Sequence, residues 1–170
     1  AFKEADAVVE TTLDFARHTG VTLESRGIVA DWNKAENKMT IYHNGQAPHM
    51  MQHIIAKHLD LNEGLVRIVS RDVGGSFGIK VHVYPDEMAV TAISKKIGRP
   101  VKFIADRLES FTTDIHARCH KISGKLGVDK NGKILAMEID DLSGIGPFSM
   151  YPRTSAIETN QVLNLSGAPY

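Results

Sequence analysis

The sequence predicts an α+β fold, with mixed and antiparallel strands and two main helices. Three observations carry that prediction. Short β-prone runs flank polar turns, two stretches carry helical spacing or helix-end signals, and an Asn-Gly pair joins two long strand candidates. The 170 residues show no internal repeat, low-complexity segment or linker, so one domain over 1–170 is the economical partition.

The elements follow in order. Ala7-Val8-Val9-Glu10-Thr11-Thr12-Leu13 is β-prone, though 1–27 as a whole is hard to assign, and Thr19-Gly20 marks a break. Ile28 to Trp32 and Met39 to His43 read as a hairpin across the polar turn Asn33 to Asn37. Asn44-Gly45-Gln46-Ala47-Pro48 is a loop. From His49 to Leu59, Met50, Met51, Ile54, Ile55, His58 and Leu59 recur at helical spacing. Asn62-Glu63-Gly64 turns the chain into a strand, Val66 to Ser70. Asp72-Val73-Gly74-Gly75-Ser76-Phe77-Gly78 is a glycine-rich loop. A second helix starts near Tyr84, where Pro85, Asp86 and Glu87 suit a helix N-terminus; Lys95 and Lys96 suit the other end, and Gly98 stops it. Val101 to Ala105 is a strand. Ala117 to Val128 and Lys133 to Asp141 pair through Asp129-Lys130-Asn131-Gly132. From Leu142 onward, Gly144, Gly146, Pro147, Pro152 and Pro169 predict extended, loop-rich chain.

Composition excludes several function classes. Hydrophobic residues at 42% and charged residues at 24% do not fit a disordered tail or a disulfide miniprotein. Lys plus Arg equals Asp plus Glu at 20 each, so bulk charge gives no attraction to nucleic acid or anionic lipid. No apolar run approaches the ~18 residues of a membrane span. The single Cys119 cannot form an internal disulfide and fits a reducing, cytoplasmic compartment. Ala1 is not a methionine, and Tyr170 follows Gly167-Ala168-Pro169 without a closing element, so the expectation is part of a larger chain.

Few residues point to chemistry on their own. Gly74, Gly75 and Gly78 allow positive φ and close approach of main-chain N–H groups to a ligand, between a strand and a helix. The loop is neither a P-loop nor a dinucleotide loop, so a plain tight turn and a ligand loop both stay open. Gln46 can donate to and accept from a small ligand, and a solvated loop amide is the bland alternative. His49 and His53 share a helical face, but Met50 stands where a zinc protease motif has Glu. His116, Cys119 and His120 cluster, yet on a strand His116 and Cys119 would face opposite ways. No four-ligand spacing predicts a metal, no G-x-S-x-G elbow exists, and Cys119 reads as an inert thiol.

Taken in order, the loops say more. Gln46-Ala47-Pro48-His49 is followed by Gly74-Gly75-Ser76-Phe77-Gly78-Ile79-Lys80 and an acidic helix start. Then come Gly98-Arg99-Pro100-Val101-Lys102 and Asp106-Arg107 with Glu109. This ordered set resembles the molybdenum-binding subunit of the xanthine dehydrogenase/aldehyde oxidase family, nearest its carbon monoxide dehydrogenase large-subunit type. The resemblance covers about Ala5 to Tyr170, the first part of a molybdopterin-binding domain within a larger subunit. It implies that Gln46 hydrogen-bonds an oxo ligand of the molybdenum. It implies that Gly75, Ser76, Phe77 and Gly78 bring main-chain amides and a phenylalanine to the cofactor.

The resemblance further implies molybdopterin, its cytosine dinucleotide form included, as cofactor. Iron–sulfur clusters and FAD would sit on partner chains or domains. The reaction implied is oxidation of an aldehyde or N-heterocycle with oxygen derived from water. Ser76 stands where the family usually has a third glycine, and Ser is costlier at positive φ. Val81 replaces the substrate-binding glutamate of xanthine-type members, which argues against a purine, and Glu24-Ser25 stands for the family's Glu-Pro. The catalytic glutamate and an arginine- or cysteine-bearing loop are expected beyond Tyr170. This chain alone is therefore expected to be inactive and prone to self-association where the rest of the subunit docks. A non-catalytic binding or assembly module on the same scaffold is the alternative, with a generic phosphate-binding domain as a third class.

Overall fold

Along the chain run β1 (Ala7–Phe15), β2 (Gly27–Asn33), β3 (Lys38–His43), α1 (Pro48–His58), β4 (Val66–Val69), α2 (Pro85–Ile97), β5 (Val101–Ile104), α3 (Arg107–Thr113), β6 (His120–Val128), β7 (Ile134–Ser143) and α4 (Ala156–Leu165). The structure, a computed structural model, describes residues 1–148, 150–151 and 156–165. The described residues fall into two compact units. One comprises 1–18 with 116–148 and 156–165, the other 19–115 with 150–151.

The 19–115 unit is built on period-two burial. Ile28, Ala30 and Trp32 on β2, and Met39 and Ile41 on β3, put every second side chain on one face of the sheet and are buried there. The hairpin register pairs Ala30 with Ile41 and Trp32 with Met39, so the two buried rows lie side by side. The sheet order is β4-β3-β2-β5; β4 joins parallel to β3 and β5 antiparallel to β2. Helix α1 packs along β4, and α2 packs on β2 and β5. Met51, Ile54 and Ile55 from α1 and Val90 from α2 complete the core. Burying each large aliphatic side chain of this set contributes about 1.5–3 kcal/mol.

The helix ends explain themselves. Pro48 opens α1 and Pro85 opens α2, where a missing N–H costs nothing. Glu87 turns back to accept from Tyr84 N–H at 3.0 Å, and Gly98 ends α2 in the left-handed region with φ 65°. Asp106 and Glu109 form a reciprocal capping box, each carboxylate accepting the other's N–H at 2.8 Å, and this starts α3.

The other unit is an antiparallel sheet in the order β1-β6-β7. Ala7 pairs with Val128 and Phe15 with His120, while His120 also faces Ser143. Phe2 and Ala5 close over Gly127, where a Cβ would meet both at 3.1 Å. All nine residues of β1 are exposed on both faces, including Val9 and Leu13. Asp129 ties the turn into β7 by accepting from Asn131 N–H at 2.8 Å and Lys133 N–H at 2.9 Å. These two N–H groups, against a smaller opposing effect of burial, hold the carboxyl below its ordinary value.

Three expectations change. The strand drawn from Ala117 starts at His120, because Arg118 takes φ 66° and breaks extended chain; Ala117 keeps only an isolated bridge to His18. His116 and Cys119 therefore lie outside any strand, and the alternation argument does not apply to them. The extended chain predicted after Leu142 gives way to a 3-10 turn, Gly146–Phe148, and to α4. Pro152 and Pro169, which belonged to that prediction, lie outside the described residues.

Candidate functional site

The two loops singled out in the sequence meet in the 19–115 unit. Gln46 leaves the end of β3 through Asn44 and Gly45. Asn44 fastens this exit to the start of β2, accepting from Gly27 N–H at 3.0 Å and donating to Ser25 C=O at 2.8 Å. Gly45 is required by close approach, since a Cβ there would sit 2.3 Å from the His43 ring and 3.2 Å from Lys80 O. Gln46 N–H then donates to Lys80 C=O at 3.1 Å, and its side-chain Oε1 accepts from the Ser76 hydroxyl. The Gln46 side chain is thus hydrogen-bonded to the glycine loop 30 residues on, and its N–H to Lys80 just beyond that loop.

The glycine loop is shaped by left-handed residues at Gly75 (φ 95°), Phe77 (φ 53°) and Gly78 (φ 89°). Ser76 is not among them, so the cost expected of serine at positive φ does not arise, and Phe77 bears it instead. Nothing lies within 4 Å of where a Gly78 Cβ would point, so conformation rather than space demands glycine at 78. Inside the loop, Ile79 N–H donates to Ser76 C=O at 2.9 Å and Lys80 N–H donates to Ser76 Oγ at 3.0 Å. The N–H groups of Gly75, Ser76, Phe77 and Gly78 have no protein acceptor among the described residues. Successive free N–H groups in such a turn form a concave donor surface suited to an anion or an oxo group. The Phe77 ring stands beside them, 79% exposed.

Beneath the loop lies an anchor that sequence reasoning missed. Lys80 is 2% exposed and donates through Nζ to Glu24 Oε2 at 2.8 Å. The same carboxylate oxygen accepts from Gly74 N–H at 2.8 Å, and Glu24 N–H donates to Gly74 C=O at 3.2 Å. Burial pushes the Glu24 carboxyl up, but Lys80 and the Gly74 N–H overcome it and hold it below its ordinary value. Farther in, Tyr84 hydroxyl donates to Ile79 C=O at 3.0 Å, and the Arg26 guanidinium lies over the Tyr84 ring at 3.7 Å.

Arg26, 1% exposed, makes a two-pronged pair with Asp86 at 2.8 Å and donates from Nε to Asp114 at 2.6 Å. Burial opposes its charge, and its hydrogen bonds to Asp86 and Asp114 more than offset that, so its pKa is raised. Burial is also the first reason that the Tyr84 phenol is held above its ordinary value. Glu87 links this cluster to His43 Nε2 at 3.0 Å. No spacing rule could have paired Arg26 with Asp114, 88 residues on; a charged residue just before an apolar strand was the only signal.

The other candidates have structural partners. His53 meets Glu63 at 2.6 Å on the surface of its unit. His120 lies against Asp141 and Ser143, each at 3.0 Å, in the other unit. Cys119 Sγ would lie 2.7 Å from a Cβ at position 144, so it packs on Gly144. Among the described residues no three His, Cys, Asp or Glu side chains gather as a metal-binding set. No described helix is long and apolar enough to cross a membrane.

Comparison with known proteins gives the family. The profile of the molybdopterin cofactor-binding domain matches residues 1–170. The large chain of carbon monoxide dehydrogenase from Hydrogenophaga pseudoflava is 34% identical over 147 residues, 86% of this chain and 18% of its own. The large subunit of nicotine 6-hydroxylase from Paenarthrobacter nicotinovorans is 30% identical over 93% of this chain and 19% of its own. The crystal structure of quinoline 2-oxidoreductase from Pseudomonas putida 86 superposes with a TM-score of 0.90 at 30% identity, covering 95% of this chain and 21% of that one. This chain therefore spans about a fifth of the relatives it matches. With the profile matched along its whole length, the chain belongs to the molybdopterin cofactor-binding domain family.

Proposed function

We propose that this chain forms one wall of the molybdenum-cofactor site in the large subunit of a hydroxylase-type oxidoreductase. The observation that carries the reading is the row of acceptor-free N–H groups from Gly75 to Gly78, hydrogen-bonded through Ser76 to Gln46. These residues fit an anionic, oxo-bearing pterin cofactor. The free donors are main-chain N–H groups, two of them on glycines, and the carboxylate that anchors the loop, Glu24, is already engaged by Lys80 and Gly74.

When bound, the cofactor supplies the redox chemistry by which an aldehyde or N-heterocycle gains oxygen derived from water. The chain's own residues bind and orient. A main-chain N–H donating to a charged oxygen contributes about 1.5–3 kcal/mol. The Gln46 amide would hold one oxo group, and the exposed Phe77 ring would stand beside the bound cofactor. Val81 is 8% exposed, so that position offers substrate no charged contact, and a purine is not the substrate we assign. The catalytic glutamate and a second cofactor loop would come from the rest of the subunit. Iron–sulfur and flavin subunits would take the electrons, in a cytoplasmic complex. The pterin would be molybdopterin, with its cytosine dinucleotide among the forms to look for.

The test is to express the whole subunit with its partner subunits, measure molybdenum and pterin, and assay aldehydes and N-heterocycles with an artificial electron acceptor. Stoichiometric metal with turnover supports the reading. A metal-free, inactive complex overturns it in favour of a non-catalytic assembly module.

A further inference from the structure

The Ser76 hydroxyl sits between two partners whose chemistry differs. Lys80 N–H can only donate, and it does so to Ser76 Oγ at 3.0 Å. On the other side lies the Gln46 side chain, with Oε1 towards Ser76 Oγ. An amide is nearly symmetric in shape, and the torsion that swaps its oxygen and nitrogen is broad and two-fold, so something must choose its orientation. Ser76 thus accepts from Lys80 N–H while its own hydroxyl donates to Gln46 Oε1. That leaves Gln46 Nε2, which has no protein acceptor among the described residues, as the free end of the amide.

We propose that Ser76 is a positioning residue that locks the Gln46 amide with its NH2 outward, so that the Gln46 loop and the Gly75–Gly78 N–H groups present donors only. The inference rests on the cofactor-site reading above. It narrows the ligand to one whose facing atoms are acceptors, such as oxo or other anionic oxygens. A flipped amide would set Oε1 against such an oxygen and replace an attraction by a repulsion. The serine thus has a role that glycine at the same position could not fill, and it needs no positive φ to fill it.

The experiment uses the full subunit in its complex and follows first-order loss of molybdenum on dialysis, a readout separate from turnover. Four proteins are compared with wild type: Ser76→Ala, Ser76→Thr, Gln46→Ala and the double variant Ser76→Ala/Gln46→Ala. Ser76→Ala should lose molybdenum about fivefold faster, the scale of one neutral hydrogen bond, and Ser76→Thr should return the rate to that of wild type. In the Gln46→Ala background, Ser76→Ala should have a clearly smaller effect, the remainder being the lost acceptor of Lys80 N–H. If Ser76 served only to hold Lys80 N–H, its effect would persist undiminished in that background, and the inference would be wrong. An Ala variant as slow as wild type would also overturn it. A wild-type complex without molybdenum would instead remove the cofactor-site reading on which the inference rests.

Discussion

Replacing Arg26 by alanine is the sharpest perturbation of the scaffold that holds the loops. The guanidinium is ion-paired with Asp86, Glu87 and Asp114 in the 19–115 unit, and the side chains of Glu87 and Asp114 are only 2% and 4% exposed. Without it, two buried carboxylates lose their shared cation. Glu87 keeps His43 and the Tyr84 N–H, whereas Asp114 loses its 2.6 Å partner. Removing one partner from a buried ion pair costs about 3–5 kcal/mol. We discount the Asp86 pair, whose carboxylate is 27% exposed, as a partly solvated contact worth about 1 kcal/mol or less. The loss should therefore be about 3–5 kcal/mol and not a sum over three bridges.

Trp32 is the single tryptophan of the chain and is buried in the same core, so its fluorescence reports unfolding of this unit in urea. With a slope of about 2 kcal/mol per molar urea, the midpoint should fall by about 1.5–2.5 M. Because Tyr84 loses the guanidinium stacked on its ring, hydrogen exchange should also accelerate at Ile79 and Lys80. A midpoint shift below about 0.5 M would refute the reasoning, since it would mean that water solvates these carboxylates once the guanidinium is gone.

Other outcomes follow from the same geometry. Gly78→Val forces a β-branched residue to φ 89° and should abolish molybdenum loading of the full subunit, read by metal analysis; wild-type loading would contradict the assignment. Gln46→Ala should leave the fold intact and cost about 1–3 kcal/mol of transition-state stabilisation in the whole enzyme, measured as kcat/KM. Glu24 has a folded pKa below its unfolded value. Its contribution is therefore complete above the unfolded value, 4.5, and is lost as pH falls through the folded one. Stability measured from pH 6 downward should lose that dependence in Glu24→Gln. The 170-residue chain alone should hold little or no molybdenum and show no turnover, because half a site leaves a large ligand mostly wet. Stoichiometric metal with activity in that chain would contradict the account.

The parts of the fold legible in the sequence are those decided locally. The 28–43 hairpin announced itself by alternation around a polar turn, and α2 by proline, acids, lysines and glycine in the right order. Helix α3 was missed although its signal was present. Asp106 and Glu109 were noticed as part of a motif, while their spacing is that of a capping box. The parallel pairing of β3 with β4 is a tertiary decision that local periodicity does not encode. At the site, Gln46 and the glycine loop were visible as residue types, and their order carried the family. Their hydrogen bond through Ser76 was not visible, nor was the Lys80–Glu24 anchor, because contacts 30 and 56 residues apart leave no periodic trace. The serine read as a cost in a glycine loop proved to be a linker, since the positive φ fell on Phe77.

The measurement that bears most directly on the central claim is a crystal structure of the molybdenum-loaded complex, with distances taken from this chain's donors to the cofactor. The account predicts cofactor oxygens within about 2.7–3.2 Å of Gln46 Nε2 and of at least one N–H from Gly75 to Gly78. A cofactor bound with these donors facing water, more than about 5 Å away, would contradict it.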